Sequence, residues 1–394
     1  MKSILISSFD MEVGGVERSL ISMLDHFDYQ NYEVDLMLYS HTGDFLPMLP
    51  KRPRLLKEMK SYKTFRLSIG QTIKSGRISI GMARLLAKYR ATTLNKSSEQ
   101  GFKQMQFMWK YSLPFLPRLQ RKFDVAISYL WPHYFVGYKV NANMKIAWIH
   151  TDFSTVETNV KLDVVMWNKF DHIVAVSEEC RNAFVRKYPV LKQKVIVVEN
   201  ITSPQFVKAM ADEKVDNPMS RDNRFKLLSV ARLSHAKGID NAVKAFKILK
   251  DRGYDNLAWY VVGYGGDEAM IKDLIKECKL ENDFILLGKQ TNPYPYMKAA
   301  DLYVQPSRYE GKAVTVVEAQ ILARPVIITN YPTAKSQVID GVNGYITDLS
   351  VEGIVSGIER LYADHELRKT LSVNCERKNY GNVYELEKLY KLIS

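Results

Sequence analysis

Residues 301–328 contain two predicted β-strands with a helix between them, and this unit constrains the fold more than any other stretch. The apolar run at 301–305 stops at Pro306, which is typical of a short buried strand. A helical pattern starts near Ala313, and Pro325 begins a second apolar strand. The same alternation of strands and helices recurs along the chain. It predicts an α/β fold built on parallel sheets.

Two carboxylates, Glu310 and Glu318, lie within this unit. Eight helical residues span roughly 12 Å, which is about the reach of a sugar nucleotide from its hexose to its ribose. Carboxylates accept hydrogen bonds from sugar hydroxyls, and the N–H groups at a helix N-terminus suit phosphate. The pair therefore indicates a nucleotide-sugar site. The alternative is that Glu310 is only an acid at a helix N-terminus and that Glu318 lies on a solvated helix face.

The length of 394 residues and the 46% of hydrophobic residues are typical of two or three globular domains with ample core. Residues 1–10 contain only a short apolar run that meets Asp10, so they predict a first strand rather than a signal peptide. No stretch of eighteen uninterrupted apolar residues occurs, and we expect no membrane span. The three cysteines, Cys180, Cys278 and Cys375, are widely spaced and favour a reducing cytosol over disulfides or a zinc site.

The positive charge is concentrated in residues 51–122, called the basic block below. The block holds 18 Lys and Arg residues against two acids, Glu58 and Glu99. Its net charge of 18 − 2 = +16 exceeds the net charge of +13 of the whole chain. Residues 62–110 of it are predicted to be mostly helical, with apolar and aromatic residues between the cations. Such a surface suits an anionic membrane. A solvated helical face is the alternative, and nucleic acid is not expected because no nucleic-acid motif accompanies the block.

Two features in the N-terminal half indicate ligand contacts. Gly14 and Gly15 stand between a predicted strand at 3–7 and a helix, where a ligand can approach the backbone and meet free N–H groups. His150 stands at the carboxyl end of a predicted strand at 145–149, where ligands of open α/β sheets bind. The alternatives are a tight turn and a structural histidine. The polar residues 202–223, which include two prolines, predict a linker.

A second series of strands and helices begins at Phe225. Arg232 and Lys237 follow its first predicted strand, and such a pair can grip a diphosphate. A pair of surface cations is the alternative. The next strand enters Gly263-Tyr264-Gly265-Gly266, which is a weak phosphate signature because it fits no full glycine-rich fingerprint.

Four motifs occur in order along the chain: GGVER at 14–18, SVARL with a following KG at 229–238, VGYGG at 262–266, and the two glutamates in EG and EA at 310–319. Together they resemble the retaining glycosyltransferases of family 4. The resemblance implies the GT-B architecture, with two facing Rossmann-like domains, parallel sheets and a cleft between them. It implies an acceptor domain at 1–201 with the basic block as an insertion, a linker at 202–223, a donor domain at 224–375, and a C-terminal segment at 376–394 that returns to the first domain.

The resemblance also implies roles for individual residues. Arg232 and Lys237 would hold the donor diphosphate, Glu310 would contact the donor sugar, and Glu318 would contact the ribose. The remaining candidates for donor contact, by their backbones or side chains, are Gly14, Gly15, Gly263, Gly311, Lys312 and Ala313, and His150 would lie near the sugar and the acceptor. Lys312-Ala313 departs from the bulky and small apolar residues that the family commonly has there, but the backbone amides should still face the sugar. Asn200 stands in an altered motif, so the resemblance assigns it no role.

The function implied is transfer of a hexose-type sugar from a nucleoside-diphosphate sugar to a lipid-linked glycan, in the synthesis of a cell-envelope polysaccharide. No Asp-x-Asp pair occurs. Arg232, Lys237 and helix N-termini could stabilise the leaving diphosphate without a metal, so we expect no metal and no cofactor. The protein is expected in the cytoplasm, peripherally bound to the inner face of the cell membrane. Two alternatives remain open: a sugar-nucleotide epimerase of the same fold, and a non-catalytic adaptor that binds membrane or nucleic acid.

Overall fold

A computed structural model describes residues 1–94, 100–154 and 156–394, which divide into two compact units. Unit 1 comprises Met1–Ile201 and Val383–Ser394, and unit 2 comprises Thr202–Asn382. Each unit contains one parallel sheet and several helices. None of the described helices is both long and apolar enough to cross a membrane.

Unit 1 is built on seven strands: β1 (Lys2–Ser8), β2 (Tyr32–Leu38), β3 (Arg54–Leu55), β4 (Lys122–Ser128), β5 (Asn141–Ile149), β6 (His172–Ala175) and β7 (Val195–Val197). The helices between them are α1 (Gly15–Asp25), α2 (Lys60–Lys63), α3 (Ile69–Lys74), α4 (Ile78–Leu94), α5 (Gln100–Ser112), α6 (Tyr134–Lys139), α7 (Val160–Trp167) and α8 (Glu178–Lys187). The strand order is β3-β2-β1-β4-β5-β6-β7, so the direction of winding reverses between β1 and β4. Continuous apolar runs make the central strands, and Ile4, Leu5 and Ile6 have no exposed surface.

The basic block forms several helices rather than one. Ser68 caps α3 through a reciprocal pair of hydrogen bonds with Gln71, and Gly76 takes a left-handed conformation before α4. Trp109 of α5 is fully buried and stacks on Phe65, with 4.1 Å between the ring centroids. The expectation that the aromatic residues near 107–111 lie on a membrane-facing surface is therefore wrong for Trp109, which belongs to the core of unit 1.

Unit 2 has the strands β8 (Phe225–Val230), β9 (Leu257–Val262), β10 (Phe284–Gly288), β11 (Leu302–Gln305), β12 (Val326–Thr329) and β13 (Tyr345–Thr347). Its helices are α9 (Pro204–Ala211), α10 (Ile239–Asp251), α11 (Glu268–Glu277), α12 (Tyr294–Ala299), α13 (Val314–Ile321), α14 (Val351–Ala363) and α15 (His365–Arg377). The strand order is β10-β9-β8-β11-β12-β13, and alternate residues of the strands enter two separate apolar cores. The sheet is therefore covered on both faces.

The segments at the two unit boundaries differ from the predicted linker and C-terminal segment. Residues 202–223 belong to unit 2, where Ser203 caps α9 and Val207 and Ala211 pack into one of its cores. Helix α15 also stays in unit 2, and the chain re-enters unit 1 only at Val383. The last helix, α16 (Glu385–Ile393), buries Leu386, Leu389 and Ile393 in the core of unit 1.

Candidate functional site

The reversal of strand order in unit 2 lies between β8 and β11. The loop at 231–238 follows β8, and the loop at 306–313 follows β11. In open α/β sheets, ligands bind at the carboxyl ends of the strands on either side of such a reversal. The sequence candidates Arg232, Lys237, Glu310, Gly311, Lys312 and Ala313 all stand in these two loops.

Arg308 joins the two loops. Its backbone N–H donates to the carbonyl oxygen of Ala236 at 2.8 Å, and its guanidinium donates to both carboxylate oxygens of Asp240 at 2.7 Å. A glycine is required at the same junction. Gly238 has a φ of 65°, and a Cβ atom there would lie 2.0 Å from the carbonyl oxygen of Pro306. The first loop can therefore pack directly on the second, which positions Lys237.

Glu310 is held by hydrogen bonds to both of its carboxylate oxygens. Oε1 accepts from the Ser307 hydroxyl at 2.7 Å and from the Gln305 side-chain amide at 3.0 Å, and Lys237 Nζ lies 2.5 Å from Oε2. The Glu310 side chain is only 6% exposed, whereas that of Lys237 is 27% exposed. The structure thus brings together two predicted site residues, and it gives Lys237 a carboxylate partner that the sequence did not reveal.

Gln305 is a site residue that sequence reasoning missed. Its amide group donates to Ser307 and Glu310, while its carbonyl oxygen accepts from the Tyr303 hydroxyl at 2.7 Å and from Thr315 at 3.2 Å. Burial raises the pKa of Tyr303, so its hydroxyl stays protonated and donates. The sequence signal that could have identified it is a polar glutamine at the end of an otherwise apolar predicted strand.

Glu318 is buried in helix α13, with 2% of its surface exposed. The Tyr294 hydroxyl donates to its Oε1 at 2.8 Å. The alternative that Glu318 is a solvated helix-face acid is therefore wrong. A buried carboxylate is costly unless it has partners, and Tyr294 of α12 supplies one that sequence spacing could not identify.

The expectation that the amide of Ala313 faces a sugar is also wrong. The N–H of Ala313 donates to the side-chain oxygen of Gln337 at 3.0 Å. This amide belongs to the residue that caps α13, and the first N–H groups of a helix need partners from outside it. Gln337, itself buried, provides that partner from the loop after β12.

The remaining site candidates of unit 2 are Arg232, Gly263, Gly311 and Lys312, and they differ in exposure. The Arg232 side chain is exposed, whereas Gly311 and Lys312 are partly buried. Gly263 follows β9 with a φ of 154°, and a Cβ atom there would lie 1.8 Å from the carbonyl oxygen of Ala231. This glycine therefore allows close packing against the loop that carries Arg232.

In unit 1, Gly14 caps α1 and Gly15 is its first residue. Gly14 has extended backbone, and a Cβ atom there would lie 2.2 Å from a carboxylate oxygen of Glu17. The carboxylate of Glu17 thus stands at the helix N-terminus, where we predicted phosphate. A negative side chain at this end of a helix is favourable.

His150 lies against Tyr129, with 4.7 Å between the ring centroids. Burial lowers the pKa of His150 to about 3, so the imidazole is neutral at pH 7. The hydroxyl of Ser19 lies 2.8 Å from that of Tyr129 and donates to Asn200 Oδ1 at 2.8 Å. Tyr129 therefore contacts the ring of His150 and is linked through Ser19 to Asn200, at the carboxyl end of the sheet of unit 1. In the part of the chain that the structure describes, no group of three or more His, Cys, Asp or Glu side chains could hold a metal ion.

Residues 211–378 match the family described as glycosyl transferases group 1. An uncharacterized glycosyltransferase of Methanocaldococcus jannaschii is 27% identical over 238 residues, which cover 58% of this chain and 60% of that protein. The capsular polysaccharide biosynthesis glycosyltransferase CapM of Staphylococcus aureus is 29% identical over 233 residues, which cover 55% of this chain and 60% of CapM. The chain thus matches less than two thirds of the length of these relatives.

Solved structures of other proteins resemble the whole chain. HepE of Anabaena, in complex with UDP and glucose, has a TM-score of 0.70 at 16% identity and covers 100% of this chain and 99% of its own. A TarM variant of S. aureus, in complex with fondaparinux, α-GlcNAc-glycerol and UDP, has a TM-score of 0.70 at 15% identity and covers 100% of both chains. The predicted α/β fold with two Rossmann-like, parallel-sheet domains of the GT-B class is confirmed.

Proposed function

Because residues 211–378 match the family described as glycosyl transferases group 1, we propose that this protein transfers a hexose-type sugar from a nucleoside-diphosphate sugar to a glycan acceptor. The observation that carries the proposal is the pairing of Lys237 with Glu310 where the strand order of unit 2 reverses. A buried carboxylate and two cations at this edge of the sheet match the chemistry of a sugar diphosphate.

Each site residue has a distinct part in the proposed reaction. Glu310, fixed by Ser307 and Gln305, accepts hydrogen bonds from hydroxyls of the donor sugar. Arg232 and Lys237 stabilise the leaving diphosphate, whose negative charge grows as the glycosidic bond breaks. Lys237 already neutralises Glu310, so one ammonium group can serve both the sugar-binding carboxylate and the phosphate. Glu318 accepts hydrogen bonds from the ribose hydroxyls, and Tyr294 orients the Glu318 carboxylate through its own hydrogen bond.

We propose that the transfer needs no metal, since fixed cations take the place of one, and that it retains the anomeric configuration. The leaving phosphate acts as the base for the acceptor hydroxyl, as the family resemblance implies. His150 is neutral and can accept or donate a hydrogen bond near the acceptor without adding charge.

The acceptor is proposed to be lipid-linked, in the synthesis of a cell-envelope polysaccharide. CapM is named for capsular polysaccharide biosynthesis, and another relative, from Bacillus subtilis, is named poly(glycerol-phosphate) alpha-glucosyltransferase. The positive charge of the basic block favours work at the anionic inner face of the cell membrane. The protein would then be cytoplasmic and peripherally bound.

A screen of sugar nucleotides tests the donor assignment. UDP-, GDP- and ADP-sugars are added to the purified protein, with UDP-sugars first because HepE and TarM were solved with UDP. A ligand at 100 times its Kd adds about 2.7 kcal/mol of stability. The Glu318→Gln variant should lose most of that gain. If no sugar nucleotide stabilises the protein or releases its nucleotide in the presence of acceptor, the proposed function is wrong.

A further inference from the structure

Helix α4 (Ile78–Leu94) has large apolar side chains on its exposed side. Its side facing the protein carries mostly small residues, and Ala83, Ala87 and Ala91 are buried there. The opposite side carries five large apolar residues that are 42–68% exposed: Ile78, Met82, Leu85, Leu86 and Tyr89. We call these five residues the outer face of α4. Their spacing places them on one continuous stripe of the helix. A surface helix ordinarily turns such a stripe toward the core, whereas this stripe is exposed, as at sites that contact a partner or a membrane.

The stretch of sequence that contains the outer face carries only positive charges. Between Glu58 and Glu99 the sequence contains nine Lys and Arg residues and no Asp or Glu. Lys74, Arg77, Lys88 and Arg90 are exposed, either beside the outer face or just before it in the chain. An apolar stripe with cationic borders and no acids is complementary to a surface that is both apolar and anionic.

Two cations of the basic block, Arg66 and Arg84, have partners within unit 1. Arg66 Nε lies 2.5 Å from the buried carboxylate of Asp10. Arg84 donates to the backbone carbonyl oxygens of Thr64 and Leu67, and burial lowers its pKa. Both side chains stabilise unit 1, so reversing their charge would disturb the fold rather than test membrane binding.

We propose that the outer face of α4 inserts into the surface of an anionic lipid bilayer, with the neighbouring cations on the headgroups. The apolar side chains would enter the boundary between headgroups and acyl chains, and Tyr89 suits that depth because its ring is amphipathic. Pairing of two copies through this face is disfavoured, because it would bring two acid-free cationic surfaces together. The inference deepens the proposed function by naming the element that meets the membrane, but the binding itself needs neither donor nor acceptor.

The test is flotation of the full chain with vesicles, without nucleotide. One set of vesicles contains phosphatidylglycerol and phosphatidylcholine, and the other contains phosphatidylcholine alone. The test variant is Ile78→Gln with Met82→Gln and Leu86→Gln, which keeps the charge and uses a residue of good helix propensity. The control is Val165→Gln with Val190→Gln and Tyr384→Gln, three exposed apolar residues elsewhere in unit 1.

We expect wild type and control to float with the anionic vesicles. The test variant should bind at least about tenfold more weakly, because its insertion loses three apolar side chains. Lys74→Gln with Arg77→Gln should weaken binding mainly at low salt. Circular dichroism and urea unfolding establish that each variant is folded.

Three results would overturn the proposal. The first is equal flotation of the test variant and wild type, and the second is equal binding of wild type to vesicles with and without phosphatidylglycerol. The third is that light scattering shows wild type to be a dimer and the test variant to be a monomer. The last result would assign the outer face to a second copy. Donor binding is measured separately. A wild type that floats but binds no sugar nucleotide contradicts the proposed function alone, whereas one that binds donor but does not float contradicts only this inference.

Discussion

Replacing Lys237 should destabilise unit 2, whereas replacing its neighbour Arg232 should not. Lys237→Met keeps the aliphatic stem but removes the ammonium from Glu310, which is 6% exposed. Ser307 and Gln305 would still donate to Oε1, but Oε2 would lose its only charged partner among the described residues. Leaving a buried acceptor unsatisfied costs about 1–3 kcal/mol, and the charge of this one favours the upper half of that range. Because Lys237 is partly exposed, we lower the expected loss of unfolding free energy to about 2 kcal/mol.

Glu310→Gln supplies the second arm of the experiment. If Lys237→Met destabilises unit 2 because it leaves the Glu310 carboxylate without its ammonium partner, the double variant should be little less stable than Glu310→Gln alone. The double-mutant cycle should then give a coupling of about 1–2 kcal/mol. Arg232→Met is the matched control, since an exposed side chain should change stability by less than about 0.5 kcal/mol.

The measurement must report on unit 2 by itself, because two units need not unfold together. Hydrogen exchange of peptides from β11 and α13, followed against urea concentration, meets that need. Additive effects of Lys237→Met and Glu310→Gln, or equal stability of the Lys237→Met and Arg232→Met variants, would refute the reasoning.

The remaining predictions concern catalysis and pH. Arg232→Ala should lose about 2–4 kcal/mol of transition-state stabilisation in kcat/KM without unfolding, and near-wild-type turnover would remove it from the diphosphate site. Activity should survive excess EDTA and should not rise with Mg²⁺ or Mn²⁺, so restoration by metal after chelation would contradict the fixed-cation mechanism. Glu318→Gln and Tyr294→Phe should mainly weaken binding of the bare nucleoside diphosphate, whereas Glu310→Gln should mainly lower kcat, and titration of each variant with that nucleotide decides between them. Burial lowers the pKa of His133 to about 3, below its value of about 6.5 in unfolded chains. The stability from neutral His133 is therefore complete above pH 6.5 and falls toward pH 3, by up to about 1.4 kcal/mol per pH unit, and His133→Asn should flatten this slope in urea titrations.

The sequence predicted the alternation of strands and helices because buried parallel strands are continuous apolar runs that stop at proline or glycine. Strand β11 and helix α13 lie within a residue or two of their predicted positions. The loops that carry Lys237 and Glu310 were found for the same reason, since each follows such a run. Spacing along the chain could not show that these two side chains touch, because Gly238 and Arg308 create that contact through tertiary packing.

Burial was the main property that the sequence left undetermined. The sequence was compatible with either a solvated or a buried Glu318. Only the packing of α12 against α13 brings the Tyr294 hydroxyl to the Glu318 carboxylate, where it donates a hydrogen bond. The basic block was predicted to form an amphipathic surface, because its cations alternate with apolar and aromatic residues. Within it, Arg84 is partly buried and Trp109 is fully buried, because the block packs on the rest of unit 1 through several helices, whose mutual packing cannot be read from periodicity alone.

Helix α16 has a consequence for the order in which this protein matures on the ribosome. Unit 2 is one uninterrupted segment, whereas unit 1 needs Leu386, Leu389 and Ile393 to complete its core, and Tyr390 of the same helix stacks on Tyr32. Strand β1 precedes unit 2 in the chain, yet its Lys2 donates to the carbonyl oxygen of Ile393 at 2.9 Å. Unit 1 therefore cannot complete its core until residues 383–394, which follow all of unit 2, have been synthesised. Until then, the apolar surface of unit 1 that Leu386, Leu389 and Ile393 cover remains exposed in the nascent chain.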